Sequence, residues 1–418
     1  MSRSDGARGP QRALVVGAGI VGLSCAWSLQ EHGVAVEVLD RARPGGAASW
    51  GNAGFVAPAL TVPLPEPALL RYGLRAVLDP RSPVRLPPRA DGALARFLVR
   101  MVSNCTGPRW SRAMEAYRML NTRIFSSFDA QRDGGVTVPT READVLAAFA
   151  EPHQAGGLLR ELAGVAGSGQ PVRLQLETGS RARELEPRLS GKAKLAVRII
   201  GQRYLDPVAY VAALADSVRV RGGEITGDTR VTSVRRHGRK VLASCADGER
   251  EADVVVVANG AWLPALAHPH GVRMPQYGGR GYSFTVPATE PLRGPLYLPA
   301  ARAALAPRSD RIRVAGVMEF QRPDAPLARS RITATVRGIR PLLDGVGWHD
   351  VRDEWVGARP LTADGLPLVG ASATEGVFVA AGHGMWGVTL GPLTGRLLAD
   401  QIVTGARPPE LTALDPLR

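Results

Sequence analysis

The sequence predicts an α/β protein in which a parallel sheet is assembled from separate stretches of the chain, with a second domain of mixed sheet and helices between them. A strand, a glycine-rich turn, a helix and a second strand follow one another over residues 13–39. Buried-strand patterns recur at residues 254–257 and 377–381, and a helix pattern follows at 387–402. Strands that alternate with helices are typical of parallel sheets, because parallel neighbours need a crossover connection. The sheet domain is therefore expected to be discontinuous in sequence.

The first unit of this sheet lies at the start of the chain. Residues 13–16 form a short apolar run typical of a buried strand, and residues 20–30 have helical periodicity. Gly33 is expected to end that helix, and residues 34–39 form a second apolar run that stops at Asp40.

The middle of the chain supplies material for both domains. Helical periodicity predicts helices at residues 93–132, 141–165 and 208–221. Apolar runs predict strands at residues 229–236, 240–246, 282–286, 312–317 and 331–336. Residues 61–91, dominated by Pro and Arg, predict an irregular crossing between domains. We place the sheet domain at residues 12–60, 172–265 and 350–407, and the second domain at 61–171 and 266–349.

Length and charge narrow the classes of function. A chain of 418 residues favours two domains. The net charge is +14, but the basic residues are spread along the chain and are densest at residues 235–240. No basic stretch is interleaved with aromatic residues, as stacking on bases requires, so we expect no nucleic-acid partner. Peripheral contact with an anionic membrane surface stays open.

Cysteine usage and the chain's first residues indicate the compartment. Cys25, Cys105 and Cys245 are scattered, which predicts neither a disulfide framework nor a metal site. The first eleven residues are polar and lack the apolar stretch of a secretory signal, and no apolar run is long enough to span a bilayer. We expect a cytoplasmic protein, with the inner face of the membrane as the open alternative.

A dinucleotide-binding fingerprint joins the first strand to the first helix. Gly17-Ala18-Gly19-Ile20-Val21-Gly22 matches GxGxxG, and Asp40 follows at the end of the second strand. Gly17 permits the tight turn, Gly19 lets the backbone approach a pyrophosphate, and Gly22 allows close packing of helix on strand. Asp40 can accept hydrogen bonds from ribose hydroxyls and disfavours NADP. The fingerprint alone leaves NAD and FAD open.

Further motifs resemble the D-amino-acid dehydrogenase and glycine oxidase group of FAD-dependent flavoproteins, the D-amino-acid oxidase-like family. They are Asp40-Arg41, Ser49-Trp50-Gly51-Asn52-Ala53-Gly54, Val257-Ala258-Asn259-Gly260-Ala261-Trp262, Gly357-Ala358-Arg359-Pro360, Asp364-Gly365-Leu366-Pro367 and Gly382-His383-Gly384. The matches run in order over nearly the whole chain, with residues 93–200 only loosely similar.

The resemblance implies a Rossmann-like FAD-binding domain, non-covalent FAD and a substrate domain. It implies cofactor contacts from the fingerprint residues and from Asp40, Arg41, Ser49, Gly51, Asn52, Val231, Ala258, Asn259, Gly260 and Trp262. For Val231, an ordinary strand valine is nearly as good an explanation. All three cysteines lie outside the motifs that face the flavin, so covalent attachment is not expected.

The C-terminal motif is expected to face the flavin ring. A buried strand enters Gly382-His383-Gly384, and the helix beginning near Gly387 presents free backbone N–H groups and the positive end of its dipole. Met385, Val388 and Thr389 belong to the same expected contact set. His383 either touches the flavin or hydrogen-bonds the loop, and both interpretations stay open here.

The substrate end rests on fewer residues. Arg359 lies in the G-x-R-P motif, where the family places an arginine that binds the substrate carboxylate. Tyr282, on a predicted strand, is a candidate hydrogen-bond donor to the substrate, with core packing as the alternative. Met385 and Trp386 stand where glycine oxidase has a second arginine, which predicts an apolar wall and a substrate larger or more hydrophobic than glycine.

The predicted function is FAD-dependent oxidative deamination of an amino acid, foremost a D-amino acid, by hydride transfer from Cα to flavin N5. The product imine is then hydrolysed to a 2-oxo acid and ammonia. Oxidation of a secondary amine such as sarcosine, a proline derivative or an opine is an alternative. Oxidation of a 2-hydroxy acid, an NAD-linked dehydrogenase and a non-catalytic flavin-binding partner protein are remoter ones. The electron acceptor, oxygen or a quinone, and the oligomeric state stay open.

Overall fold

The fold was analysed in a computed structural model, which describes residues 9–67, 84–85 and 91–418. Its strands are β1 Arg12–Val16, β2 Ala35–Leu39, β3 Phe55–Val56, β4 Val84–Arg85, β5 Arg141–Phe149, β6 Leu174–Thr178, β7 Leu195–Tyr204, β8 Glu224–Thr226, β9 Val231–His237, β10 Lys240–Cys245, β11 Gly248–Ala252, β12 Val254–Val257, β13 Gln276–Pro287, β14 Leu296–Leu298, β15 Ala303–Arg308, β16 Arg311–Phe320, β17 Arg352–Thr362, β18 Leu368–Ala371 and β19 Val377–Ala381. Its helices are α1 Ile20–Glu31, α2 Gly92–Asn104, α3 Gly107–Asn121, α4 Ile124–Asp133, α5 Gly156–Gly167, α6 Gly179–Leu185, α7 Pro207–Val220, α8 Leu263–Ala267, α9 Arg329–Ile339 and α10 Gly387–Thr404.

A six-stranded sheet forms the Rossmann-like part of the molecule. Its order is β18-β19-β12-β1-β2-β8, and β1 runs parallel to both of its neighbours, β12 and β2. Only β18, at the edge, is antiparallel to its neighbour β19. Strands from the start, the middle and the end of the chain therefore share one sheet, which confirms the predicted discontinuous α/β fold.

Both faces of this sheet are buried, and β1 shows why its sequence is apolar throughout. Ala13 and Val15 face the core that includes α1 and α10, whereas Leu14 and Val16 face the core that includes the antiparallel sheet β9–β11. Each large apolar side chain buried in this way contributes about 1.5–3 kcal/mol.

Close packing of α10 on α1 ties the end of the chain to its beginning. A Cβ at Gly395 of α10 would lie 2.3 Å from the carbonyl oxygen of Ser24 in α1, so only glycine allows this approach. The contact places the N-terminus of α10 beside the turn between β1 and α1.

The second sheet is mixed and has ten strands. Its main path is β17-β13-β16-β15-β14-β5-β7-β3, with β4 paired to β16 and β6 to β7. Most pairs are antiparallel, but β14–β5 and β16–β4 are parallel. Helix α9 contributes Ile332 and Ile339 to the core against β13–β16.

Two predicted elements differ from the structure. The predicted helix at 141–165 is wrong over residues 141–149, which form β5, and right over α5. Val145, Ala147 and Phe149 are buried on one face of β5, and Leu146 and Ala148 on the other, so no alternation marks the strand. The predicted strand at 331–336 is helix α9, because Ile332, Thr335 and Ile339 share a buried helical face that outweighs their β-branching.

Each of the three segments predicted for the sheet domain also contributes strands to the ten-stranded sheet. These strands are β3 within 12–60, β6 and β7 within 172–265, and β17 within 350–407. Most of the predicted crossing at 61–91 lies outside the described residues. Among the described residues, no helix is long and apolar enough to cross a membrane.

Candidate active site

A single large cavity brings most of the predicted site residues together. It has a volume of about 1640 Å³ and lies where the carboxyl ends of β1 and β12 meet strands β15–β17 of the ten-stranded sheet. Of the predicted residues, it is lined by Gly17, Gly19, Ile20, Val21, Asp40, Arg41, Ser49, Gly51, Asn52, Val231, Ala258, Asn259, Gly260, Trp262, Arg359, His383, Gly384, Met385, Gly387 and Val388.

The turn between β1 and α1 is too tight for any side chain. Gly17 has a φ of +115°, and a Cβ there would lie 2.5 Å from the carbonyl oxygen of Ala258. A Cβ at Gly22 would lie 1.9 Å from the carbonyl oxygen of Gly17. The backbone of this turn is therefore open to the cavity at the N-terminus of α1, the arrangement that suits a pyrophosphate.

Asp40 and Ser49 hold the turn in place. The Asp40 carboxylate accepts hydrogen bonds from the backbone N–H groups of Ala18, at 2.7 Å, and Ala42, at 3.0 Å. Ser49 Oγ accepts one from the Ile20 N–H at 3.1 Å. Burial raises the pKa of Asp40 and is the largest influence on it, partly offset by these N–H groups.

Two features beside the turn fit a further ligand. Oδ1 of Asn259 is buried without a hydrogen-bond partner among the described residues, while its Nδ2 donates to the carbonyl of Trp262 at 3.0 Å. The Arg41 guanidinium stacks on the Trp262 ring at 3.4 Å and pairs with Asp324 at 3.3 Å. An unpaired acceptor and a flat cationic surface thus face the same end of the cavity, as a dinucleotide requires.

The segment from Ser49 to Gly54 forms a turn under the cavity. Asn52 Oδ1 accepts a hydrogen bond from the Gly54 N–H at 2.8 Å, and Gly54 has a φ of +83°. A Cβ at Gly51 would overlap the ring of Trp355, which lies against it and also lines the cavity.

The N-terminus of α10 points at the opposite part of the cavity. Residues 384–388 line it, and no side chain among the described residues caps the helix. Trp386 fixes this end by donating from Nε1 to the carbonyl of Val62 at 2.8 Å, and Thr389 donates from its hydroxyl to the carbonyl of Phe55 at 3.0 Å. The free N–H groups and the helix dipole favour negative charge at this position.

His383 is a neutral side chain in the cavity wall. Burial lowers its pKa to about 3, and its Nε2 lies 2.9 Å from the Thr394 hydroxyl. The two interpretations of this residue are therefore compatible, since it lines the cavity and also hydrogen-bonds within the protein.

Arg359 presents a half-buried cation to the cavity. Its guanidinium donates to the carbonyl of Val317 at 2.8 Å and lies over Gly281, where a Cβ would be 2.2 Å from its Cζ. Burial lowers its pKa to about 10, so the group is charged at neutral pH. No carboxylate among the described residues pairs with it.

Five predicted residues do not line the cavity. Ala18 lies within the turn and Gly22 is buried in the first turn of α1. Gly382 lies before the His383 loop, and Thr389 bonds to Phe55. The prediction of a substrate contact for Tyr282 is not supported: the side chain is 2% exposed in the core, and its hydroxyl donates to Glu319 at 2.7 Å.

The same cavity has an acidic and aromatic part that the sequence patterns did not predict. It is lined by Glu66, Cys105, Glu161, Tyr297 and Arg302. One signal was present in α5, where Glu161 shares a helical face with the buried residues Leu158, Leu162 and Val165. A carboxylate on an otherwise apolar face needs a partner. Among the described residues, no cluster of His, Cys, Asp and Glu could hold a metal ion.

Comparisons with known proteins agree with this geometry. Residues 12–401 match the family described as FAD dependent oxidoreductase. The D-amino acid dehydrogenase of Cereibacter sphaeroides is 31% identical over 415 residues, covering 97% of this chain and 94% of that protein. The D-amino acid dehydrogenase of Azorhizobium caulinodans is 29% identical over 408 residues, covering 95% and 97%.

Solved structures show the same fold at lower identity. Glycine oxidase from Geobacillus kaustophilus superposes with a TM-score of 0.74 at 22% identity, covering 98% of this chain and 99% of that one. L-proline dehydrogenase from P. horikoshii superposes with a TM-score of 0.70 at 15% identity, covering 98% of both chains.

Proposed function

The chain belongs to the FAD dependent oxidoreductase family, and from that premise we propose that it oxidises D-amino acids to 2-oxo acids and ammonia. The D-amino acid dehydrogenases that are 29–31% identical over nearly the whole chain support this substrate class.

Arg359 is the observation that carries the proposal. A half-buried guanidinium that faces a cavity, without a carboxylate partner among the described residues, is costly unless a ligand supplies the negative charge. The planar fork of arginine binds a carboxylate through two hydrogen bonds, which fixes both its distance and its rotation. We assign Arg359 to the substrate carboxylate.

The cofactor is expected at the end of the cavity that the glycine turn opens. In this proposal the nucleotide half of FAD is held by the turn at Gly17–Gly22, by Asn259 Oδ1 and by the Arg41–Trp262 pair. Residues 384–388 hold its other half. The chemistry that FAD supplies when bound is two-electron oxidation of the Cα–N bond to an imine, which water hydrolyses to a 2-oxo acid and ammonia.

The state of His383 favours an amine over an alcohol as the substrate. Oxidation of a 2-hydroxy acid calls for a base to remove the hydroxyl proton. With a pKa of about 3, His383 is too weak a base for this task near pH 7. An uncharged amine has no such proton to lose, so orientation by Arg359 meets the main requirement.

Anaerobic flavin bleaching tests the proposal. The purified holoenzyme is mixed with D-amino acids, L-amino acids, sarcosine and proline, and loss of the flavin absorption band is recorded. Bleaching by D-amino acids alone is the expected result. Bleaching by secondary amines alone would transfer the function to that substrate class, and bleaching by none would refute the proposal.

We also infer that the reduced enzyme delivers electrons at the cytoplasmic face of an anionic membrane, where a quinone serves as acceptor. On α2, Val99 is 73% exposed and Val102 49%, and the exposed Arg96 and Arg100 lie on the same helix. Met101 and Val102 also line the cavity, so this apolar and basic surface lies at its wall. The net charge of +14 would add attraction to anionic lipid.

Vesicle sedimentation tests this second inference. Binding to vesicles with anionic lipid, weakened in Val99→Ser and absent from zwitterionic vesicles, is expected. Equal recovery of the unmodified protein and of Val99→Ser in the supernatant, together with rapid reoxidation of the flavin by oxygen, would contradict this inference.

A further inference from the structure

The cavity has a second charged region, distinct from the part that holds Arg359. It is lined by Glu161 of α5, by Tyr297 of β14 and by Glu66, and Arg302 lies at its edge. Among the described residues, neither the Glu161 carboxyl nor the Tyr297 hydroxyl has a hydrogen-bond partner. We call these four residues the acidic subsite.

The charges of the acidic subsite are unbalanced. Two carboxyl groups face one guanidinium among these side chains, so the subsite carries a net negative charge whenever both carboxyl groups are ionised. The pKa of Glu161 is raised to about 7, first by burial and then by the neighbouring Glu66, while Arg302 lowers it. The pKa of Tyr297 is raised to about 12, first by burial and then by Glu161. A cation entering this region would relieve the repulsion between the carboxylates.

The strand pairing relates the acidic subsite to Arg359. In the order β14-β15-β16-β13-β17, Tyr297 pairs with Ala304, Ala303 pairs with Gly316, and Gly279 pairs with Arg359. The Arg359 guanidinium reaches back over β13 to the Val317 carbonyl of β16. Adjacent strands lie about 4.8 Å apart, so about two strand spacings, roughly 10 Å, separate the guanidinium from β14.

The wall between these two charged ends carries small residues. It consists of Ala304, Ala315 and Gly316, whose side chains are the smallest available and which all line the cavity. An extended aliphatic chain can lie along such a surface without displacing any side chain.

We propose that the acidic subsite binds the cationic end of a substrate side chain, so that the enzyme prefers D-amino acids with a basic side chain of the length of lysine or arginine. The inference rests on the proposed function, in which Arg359 holds the substrate carboxylate. The small wall residues then match the aliphatic stem of such a side chain. The unpaired Glu161 carboxyl and Tyr297 hydroxyl match its terminal ammonium or guanidinium.

The separation of the two ends argues against Glu161 as the base that deprotonates the substrate amine. The α-ammonium of an amino acid lies within a few bonds of its carboxylate. Tyr297, beside Glu161, lies on β14, about two strand spacings from the Arg359 guanidinium at β16. The end of a long side chain can reach Glu161, whereas the α-amine cannot.

Binding of two carboxylic acids to the holoenzyme tests the inference without requiring turnover. 6-Aminohexanoate is lysine without its α-amine, and hexanoate lacks the terminal charge as well. Isothermal titration is expected to show tighter binding of 6-aminohexanoate, by about tenfold or more, and Glu161→Gln is expected to abolish this preference while hexanoate binds as before. The exposed Glu142→Gln serves as the matched control and should keep the preference.

Kinetics with D-lysine and D-alanine separate the failure of the subsite from the failure of the proposed function. Glu161→Gln is expected to raise KM for D-lysine by a much larger factor than KM for D-alanine. Equal loss with both substrates, accompanied by loss of a limb of the pH profile, would overturn the inference in favour of a base. A third outcome is an enzyme that no amino acid reduces but that prefers 6-aminohexanoate in a manner dependent on Glu161. This outcome would support the subsite and refute the proposed function.

Discussion

Arg359 donates a hydrogen bond to the carbonyl oxygen of Val317 at 2.8 Å, and Val317 has a φ of +59°. A β-branched residue seldom adopts this conformation, because its side chain crowds the backbone. The neighbouring strand β13 has an irregularity between Arg280 and Tyr282, opposite this point. The distorted backbone thus presents a neutral carbonyl to Arg359 and leaves the charge of the guanidinium for a ligand.

Arg359→Lys should reduce kcat/KM for a D-amino acid by about 100-fold while FAD stays bound. Lysine keeps the positive charge but loses the planar pair of donors that orients a carboxylate. Steady-state kinetics and the flavin absorbance of the purified variant provide the two measurements. Arg219→Lys, at a half-exposed position on α7, is the control. Unchanged kinetics in Arg359→Lys would remove this residue from the substrate site.

Gly281→Ala should raise KM by about tenfold without removing any charge. The new Cβ would lie 2.2 Å from the Arg359 Cζ, so the guanidinium must move away from its position over β13. Because the displaced atoms end a flexible side chain, the fold and the flavin content should be kept. Gly92→Ala, where a Cβ meets nothing within 4 Å, is the comparison. A normal KM in Gly281→Ala would show that Arg359 tolerates displacement.

The cofactor end of the cavity could be predicted from sequence because its requirements are local. Gly17 needs a left-handed φ, Gly22 needs a missing side chain, and Asp40 follows at the end of the next strand. All three demands arise within 24 consecutive residues, so spacing alone indicates them.

The substrate end could be predicted only in part because it depends on pairing between distant strands. Glu161 lies on α5, which follows β5, and Tyr297 lies on β14. The two residues come together because β14 pairs in parallel with β5, and no local sequence pattern predicts this pairing. The predicted strand that holds Tyr282 lies within β13, but β13 is buried on both faces and carries a bulge. Its sequence therefore does not indicate which face looks into the cavity.

His383→Asn should make the protein less sensitive to acid. The pKa of His383 is about 3 in the folded state, below the unfolded value of about 6.5. The unfolded state therefore binds more protons than the folded state as pH falls below about 6.5, and stability is lost as pH falls. At pH 5 this residue should cost about 2 kcal/mol of unfolding free energy.

The drop in melting temperature between pH 7 and pH 5 measures this effect. The drop should be smaller in His383→Asn than in the unmodified protein, whereas the exposed His349→Asn should behave like the unmodified protein. An identical drop in all three proteins would mean that His383 takes up a proton in the folded state.

Acid precipitation should release all of the flavin into solution, because neither candidate nucleophile in the cavity wall is set up for covalent attachment. Cys105 lines the cavity although it lies outside every cofactor motif, but burial and the nearby Glu66 raise the pKa of its thiol to about 11. Thiolate, rather than thiol, is the nucleophile, so Cys105 is unreactive at neutral pH. His383 has its Nε2 engaged with Thr394. A yellow pellet would contradict this prediction, and Cys105→Ser and His383→Asn, precipitated in parallel, would identify the residue that holds the flavin.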